Sequence, residues 1–137
     1  IMYWLEKNVN IINLKVIEDF FIQIGKDNNS VIIAHPHIGS VVKGKAIVST
    51  MQYFEKRIAF GVLFMGHSHW QSKIPYNHHI GIETGFLSSS FDYSRTSRLG
   101  RGVYYLCHLG YGRCKMVNGA VVPNSADFIN LGWEEVL

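Results

Sequence analysis

The segment Gly66-His67-Ser68-His69-Trp70 contains two histidines that flank one small residue, and it directly follows an apolar run from Gly61 to Met65. In an extended chain successive side chains alternate between two faces, so His67 and His69 would point the same way and Ser68 would point away. Two imidazoles that share a face at the end of a buried strand can act as two ligands of a metal ion. The spacing therefore predicts half of a metal site.

A second pair of histidines, His35 and His37, follows the short apolar run from Val31 to Ala34. A single His-x-His pair is more often a pair of ordinary histidines, but two pairs that end two successive apolar segments favour metal binding. His35 is the predicted ligand of this pair. His37 is predicted either to replace His35 as a ligand or to contact a phosphate.

The elements predicted around these pairs would bring them to one edge of a sheet. The runs Val31 to Ala34 and Gly61 to Met65 are short and continuously apolar, which is typical of strands buried on both faces. Between them, Lys43 to Phe60 has apolar residues at mostly three- and four-residue spacing, which predicts an amphipathic helix. Both histidine pairs would then lie at the carboxyl ends of strands, where open α/β sheets usually build their sites.

The flanking segments are predicted to be mostly β structure. Asn13 to Ile24 is rich in apolar and β-branched residues and is expected to contain a strand, with a short helix as the alternative. Asn118-Gly119 is a strong signal for a two-residue hairpin, because both positions tolerate positive φ. Ser88 to Gly100 is polar and rich in residues that interrupt regular structure, which predicts a loop. Antiparallel strands should therefore dominate the second half of the chain.

Three other groups of residues have a weaker case for chemistry. Arg95 and Arg98, in the polar loop, could bind a phosphate through paired guanidinium hydrogen bonds, although a solvated basic loop is the simpler explanation. His78 and His79 would point to opposite faces of a strand, so an exposed pair is the favoured interpretation. His108 lies among apolar residues and is interpreted as a core histidine.

The composition is that of one rather apolar globular domain. The 137 residues are 47% hydrophobic and 17% charged, with a formal net charge of +3. This mild charge permits a nucleic-acid partner without indicating one. No apolar run approaches the ~18 residues that span a membrane, and no signal peptide is recognised. Cys107 and Cys114 favour a reducing compartment, although they could pair across a hairpin. We therefore expect a soluble, cytoplasmic protein without a membrane partner.

The two histidine segments together resemble the last two metal-binding blocks of the calcineurin-like metallophosphoesterases. In that family a histidine ends one strand and, after a helix, a Gly-His-x-His block ends the next. His35, His67 and His69 match these positions in order and spacing. The resemblance covers roughly residues 14 to 90, and the Gly-His-x-His block is its specific part.

This resemblance implies a two-metal phosphoesterase. His35 and His67 would bind one divalent cation and His69 the other, with manganese, iron or zinc as the metal. Two cations ~3.5 to 4 Å apart activate a shared water for in-line attack on a phosphate mono- or diester. The later stretch Glu83 to Leu87 resembles the T/N-x-G-S segment of the family, which would return beside the site.

The chain also departs from the family. The blocks Asp-x-His, Gly-Asp-x-x-Asp and Gly-Asn-His-Asp/Glu, which carry the bridging carboxylate and the catalytic histidine, do not occur in the sequence. We therefore expect residues 1–137 to be a single unit that forms the carboxyl-terminal part of such an enzyme, with no catalytic residue assigned in it. The expected fold is part of an α/β sandwich, in which mixed sheets are flanked by helices, with a β-rich carboxyl-terminal portion. A non-catalytic phosphoesterase-like module or a histidine-lined metal-binding module is the alternative, and no oligomeric state is indicated.

Overall fold

The computed structural model of the chain describes residues 14–18, 21–36, 42, 44–68, 71–85 and 108–133. These residues form a mixed α/β structure with one mixed sheet, one two-stranded sheet and one α-helix. In chain order the elements are β1 (Leu14–Glu18), β2 (Phe21–Ile24), β3 (Val31–Ala34), α1 (Lys45–Glu55), β4 (Val62–Met65), β5 (Gln71–Tyr76), β6 (His79–Thr84), β7 (His108–Val117) and β8 (Ala120–Trp133).

The six strands of the mixed sheet lie in the order β1-β2-β3-β4-β6-β5. The three central strands β3, β4 and β6 are parallel, and the outer pairs are antiparallel. Parallel strands end at the same side of a sheet. The side where Ala34, Met65 and Glu83 lie in register is named the carboxyl edge. The opposite side, where Val31 and Val62 lie in register, is named the amino edge.

Helix α1 covers one face of this sheet. Its apolar residues at three- and four-residue spacing, among them Ile47, Met51 and Phe54, are buried as the amphipathic pattern predicts. The approach is close at Gly81 of β6, where a Cβ atom would lie 2.7 Å from Cγ1 of Ile47. The helix is shorter than the predicted Lys43 to Phe60, because it ends at Glu55 and the amides of the next turn fold back onto the carbonyl of Phe54.

The β7–β8 hairpin covers the other face, where its residues Val121 and Ala126 join a buried cluster with β3, β4 and β6. The predicted turn at Asn118-Gly119 is confirmed, since Val117 pairs with Ala120 and the two turn residues have φ values of 52° and 79°. The side-chain amide of Gln71 fixes the hairpin on the sheet by donating to the carbonyl oxygens of Thr84 and Ile129 at 3.2 and 2.7 Å. The β-rich carboxyl-terminal portion is confirmed.

The strand predicted within Asn13 to Ile24 is confirmed over the helical alternative, and the segment contains a second strand as well. Two antiparallel strands occupy the segment, with Leu14 opposite Ile24 and Val16 opposite Ile22. No glycine or proline lies between the two strands, so the sequence pattern does not show where the chain reverses direction. The predicted loop from Ser88 to Gly100 lies outside the described residues. Within the described part of the chain, no helix combines the length and apolar character needed to cross a bilayer.

Candidate metal centre

The carboxyl edge brings two of the predicted site residues together. His35 directly follows β3, and His67 follows β4 after one glycine. Because these strands are parallel neighbours with Ala34 opposite Met65, the two histidines emerge side by side. Their rings meet edge to face, with centroids 5.4 Å apart and planes at 82°. The strand order thus produces the convergence of His35 and His67 that the sequence predicts.

Gly66 makes room for this arrangement. Its amide donates to the carbonyl oxygen of Ala34 at 3.0 Å, which continues the parallel ladder beyond the strand. A Cβ atom at position 66 would lie only 2.9 Å from Nδ1 of His35. Any side chain here would therefore have to displace the imidazole of His35. The glycine of the Gly-His-x-His block is needed for space next to the first histidine.

The extended chain predicted for this segment is wrong at His67 and Ser68, whereas His69 lies outside the described residues. The chain bends at residues 67 and 68, and His67 has a φ of 87°. A residue with a side chain pays on the order of 1 to 2 kcal/mol for this left-handed conformation. Ser68 is 4% exposed, and its hydroxyl has no hydrogen-bond partner among the described residues.

Several predicted site residues lie outside the described residues, namely His37, His69, Arg95 and Arg98. Their roles as metal ligands or phosphate contacts stay predictions. Among the residues that the structure describes, no group of three or more histidine, cysteine, aspartate or glutamate side chains is placed to hold a metal ion. His35 and His67 are thus two nitrogen donors that fit part of a ligand set, and further ligands must come from other residues.

Glu83 is a buried acid at the carboxyl edge, and its sequence pattern predicted no role for it beyond the resemblance of Glu83 to Leu87 to a family segment. It is fully buried, it pairs in register with Met65 at the end of β4, and it accepts a hydrogen bond from the hydroxyl of Ser72. Charged side chains are almost never fully buried unless they have partners. The sequence feature that could have indicated this burial is the position of an acid at an inward site of the strand HIGIET.

His78 and His79 lie away from the carboxyl edge, in the turn between β5 and β6 and at the start of β6. His78 is exposed, as predicted, whereas the side chain of His79 is only 11% exposed. The His79 ring stacks on Phe60 with centroids 4.0 Å apart, and its Nδ1 lies 2.9 Å from the carbonyl oxygen of Phe60. The interpretation as an exposed pair is therefore wrong for His79, which fastens the sheet to the segment after α1.

Cys114, which lies within the described residues, is a packing residue. Cys114 lies on the inner side of the hairpin against the buried cluster that contains Val121 and Ala126, and burial raises the pKa of its thiol. A thiol with a raised pKa stays protonated at neutral pH and is a poor nucleophile. Cys107 lies outside the described residues, so a disulfide between the two cysteines stays untested.

Comparison with solved structures gives a loose structural likeness. No protein-family model matches the chain, and no curated protein matches it. The crystal structure of a single mutant of Vps29 from Entamoeba histolytica is similar with a TM-score of 0.46 and 11% identity, over 91% of this chain and 66% of the Vps29 chain. Vps29 has a calcineurin-like metallophosphoesterase fold. At this TM-score the likeness carries no argument about fold or function.

Proposed function

We propose that the full-length protein is a metal-dependent phosphoesterase, and that this chain is part of a calcineurin-like α/β sandwich. The observation that supports this proposal most directly is the meeting of the His35 and His67 rings, 5.4 Å apart, where two parallel strands end. The layering of α1, the mixed sheet and the β7–β8 hairpin is compatible with such a sandwich. The sequence prediction of a cytoplasmic location is part of the same proposal.

The residues present fit a divalent cation in part. Neutral imidazole nitrogens suit manganese, iron and zinc, and His35 and His67 supply two of them. His69, with His37 as an alternative ligand or phosphate contact, is proposed to extend this set toward a second cation. The bridging carboxylate of the family has no counterpart in residues 1–137. When bound, the two cations would activate water and stabilise charge on the phosphoryl group.

The chain's own residues would position the substrate and the ligands. Gly66 keeps open the space that the His35 ring occupies, so that both imidazoles can face one cation. Arg95 and Arg98 are proposed to bind the phosphate, because guanidinium groups make paired hydrogen bonds to phosphate oxygens. The phosphoester itself is proposed only by class, as a mono- or diester.

The test uses the full-length protein with added Mn²⁺ and two generic substrates, an aryl phosphate monoester and a diester. We expect His67→Ala to lower the rate by about 100-fold or more, since even partners of metal ligands are worth about 10- to 100-fold. His78→Ala is the matched control, because it removes an exposed imidazole far from the carboxyl edge. Unchanged activity in His67→Ala would remove His67 from the mechanism.

Metal content separates this proposal from its alternative. Two ions per purified full-length protein would support the enzyme, whereas one or none would favour the non-catalytic or histidine-lined module. Absence of hydrolysis of both substrates, together with absence of bound metal, would refute the phosphoesterase.

A further inference from the structure

Ser68 is a buried polar residue whose hydrogen-bonding needs the described structure does not meet. Its hydroxyl oxygen is closed to solvent and has no partner among the described residues. Leaving a buried hydroxyl without a partner costs about 1 to 3 kcal/mol, and such groups in native structures usually mark a strained or functional position. The proposed reaction, as stated above, does not use this hydroxyl.

The position of Ser68 connects this cost to the histidines. Ser68 lies between His67 and His69, and His67 has the left-handed backbone conformation with φ of 87°. Two unfavourable features therefore occupy consecutive residues, a strained backbone and an unpartnered hydroxyl. Such features cluster where a protein holds residues for a ligand. A bound cation that orients a neighbouring imidazole toward the hydroxyl would recover part of this cost.

We propose that Ser68 is a positioning residue of the metal centre, whose hydroxyl oxygen accepts the ring N–H of a flanking histidine ligand. An imidazole that gives one nitrogen to a cation carries a proton on the other nitrogen, and this N–H is almost always bound by an acceptor that orients the ring. A serine hydroxyl has two acceptor lone pairs. Because the oxygen is closed to solvent, its partner comes from the protein. The inference rests on the proposed function, since it requires the cation.

The experiment measures Co²⁺ affinity and metal-free thermal stability of the full-length protein. Ser68→Ala should weaken Co²⁺ binding by about 10- to 100-fold, the usual loss when a partner of a metal ligand is removed. Its metal-free Tm should be unchanged or higher, because the substitution removes a buried group that lacks a partner. Ser68→Thr keeps the hydroxyl and should retain the affinity and the visible absorption spectrum of bound Co²⁺.

Ser30→Ala is the matched control. Ser30 is also buried, but its hydroxyl donates to the carbonyl oxygen of Ala59 at 2.9 Å and accepts from Nε2 of Gln23 at 2.8 Å. This variant should lower the metal-free Tm and leave Co²⁺ affinity unchanged, the reverse of Ser68→Ala.

The outcomes separate this inference from the proposed function. Wild-type Co²⁺ affinity in Ser68→Ala would overturn the role of Ser68 and leave the phosphoesterase standing. A lower metal-free Tm in Ser68→Ala would also overturn it, because the hydroxyl would then have its partner within the fold. A wild-type protein that binds no Co²⁺ would refute the metal centre, and the role of Ser68 with it.

Discussion

The two ends of strand β4 have opposite properties, although the strand is only four residues long. At the amino edge, the amides of Gly61 and Val62 both lie within hydrogen-bond distance of the carbonyl oxygen of Ser30, at 2.9 and 3.3 Å. The Ser30 hydroxyl binds the carbonyl of Ala59 and the side chain of Gln23. The polar groups of this network bond to one another, which is the usual condition of buried polar atoms.

At the carboxyl edge the same strand leads into residues with less favourable local features. His67 has a strained backbone, Ser68 has a buried hydroxyl with no partner among the described residues, and the exposed ring of His35 lies against Gly66. Departures from local preference are expected at functional sites and are compensated elsewhere in the fold. Under the proposed function, the amino edge contributes stability and the carboxyl edge contributes metal binding. Substitutions at the two ends should therefore have separable effects.

The largest effect on stability is expected at the amino edge, from Gly61→Ala. Its Cβ atom would lie 2.8 Å from the carbonyl oxygen of Asn28 and 3.2 Å from Cγ1 of Val121. A backbone oxygen cannot turn aside, so we expect a loss of about 2 to 3 kcal/mol in the free energy of unfolding, in the range of overpacked sites. Urea denaturation measures this loss. Metal affinity of the folded protein should not change, and a loss below about 0.5 kcal/mol would contradict the prediction.

Gly66→Ala, at the other end of the strand, should have the reverse effect. The added Cβ atom would meet an exposed imidazole, His35, which can turn away at little cost. Neither Gly61 nor Gly66 has positive φ, so alanine adds no backbone strain at either. We expect less than about 1 kcal/mol of lost stability and a Mn²⁺ affinity about 10- to 100-fold weaker, measured by titration calorimetry. Equal destabilisation by the two variants, without loss of affinity, would remove the distinction between the edges.

The sequence predicts the parts of this site that depend on local pattern. Short apolar runs locate β3 and β4 within one residue, and a helix between two neighbouring strands is the usual connection of a parallel pair. The neighbouring positions of His35 and His67 follow from that arrangement. The hairpin at Asn118-Gly119 is equally local, because the turn depends on two residues that tolerate positive φ.

Tertiary contacts determine what the sequence pattern missed. Positive φ is uncommon for histidine, so the sequence pattern does not predict the left-handed conformation of His67. Glu83 is buried because Ser72, eleven residues earlier, lies opposite it in the neighbouring strand. His79 lies against Phe60 because β6, which begins at His79, pairs with β4, which closely follows Phe60. Such pairings require knowledge of which strands are neighbours, which composition and periodicity do not contain.

The smallest effect is expected from Glu55→Gln, at the outermost contact of the amino edge. Glu55 Oε1 lies 3.7 Å from Nε2 of His79 and accepts a 2.7 Å hydrogen bond from the side chain of Asn77. Glutamine keeps an oxygen for Asn77, and His79 keeps its ring contact with Phe60, so the only loss is the contact of the carboxylate with the His79 imidazole, which is an ion pair when that ring is protonated. Such pairs are worth about 0.2 to 1 kcal/mol, and we expect about 0.5 kcal/mol or less by urea denaturation. A loss above about 1 kcal/mol would show that the stability of this edge depends on its surface charges as well as on its buried hydrogen bonds. With His79→Ala as the comparison, which also removes the stacked ring, the larger loss should come from the histidine variant.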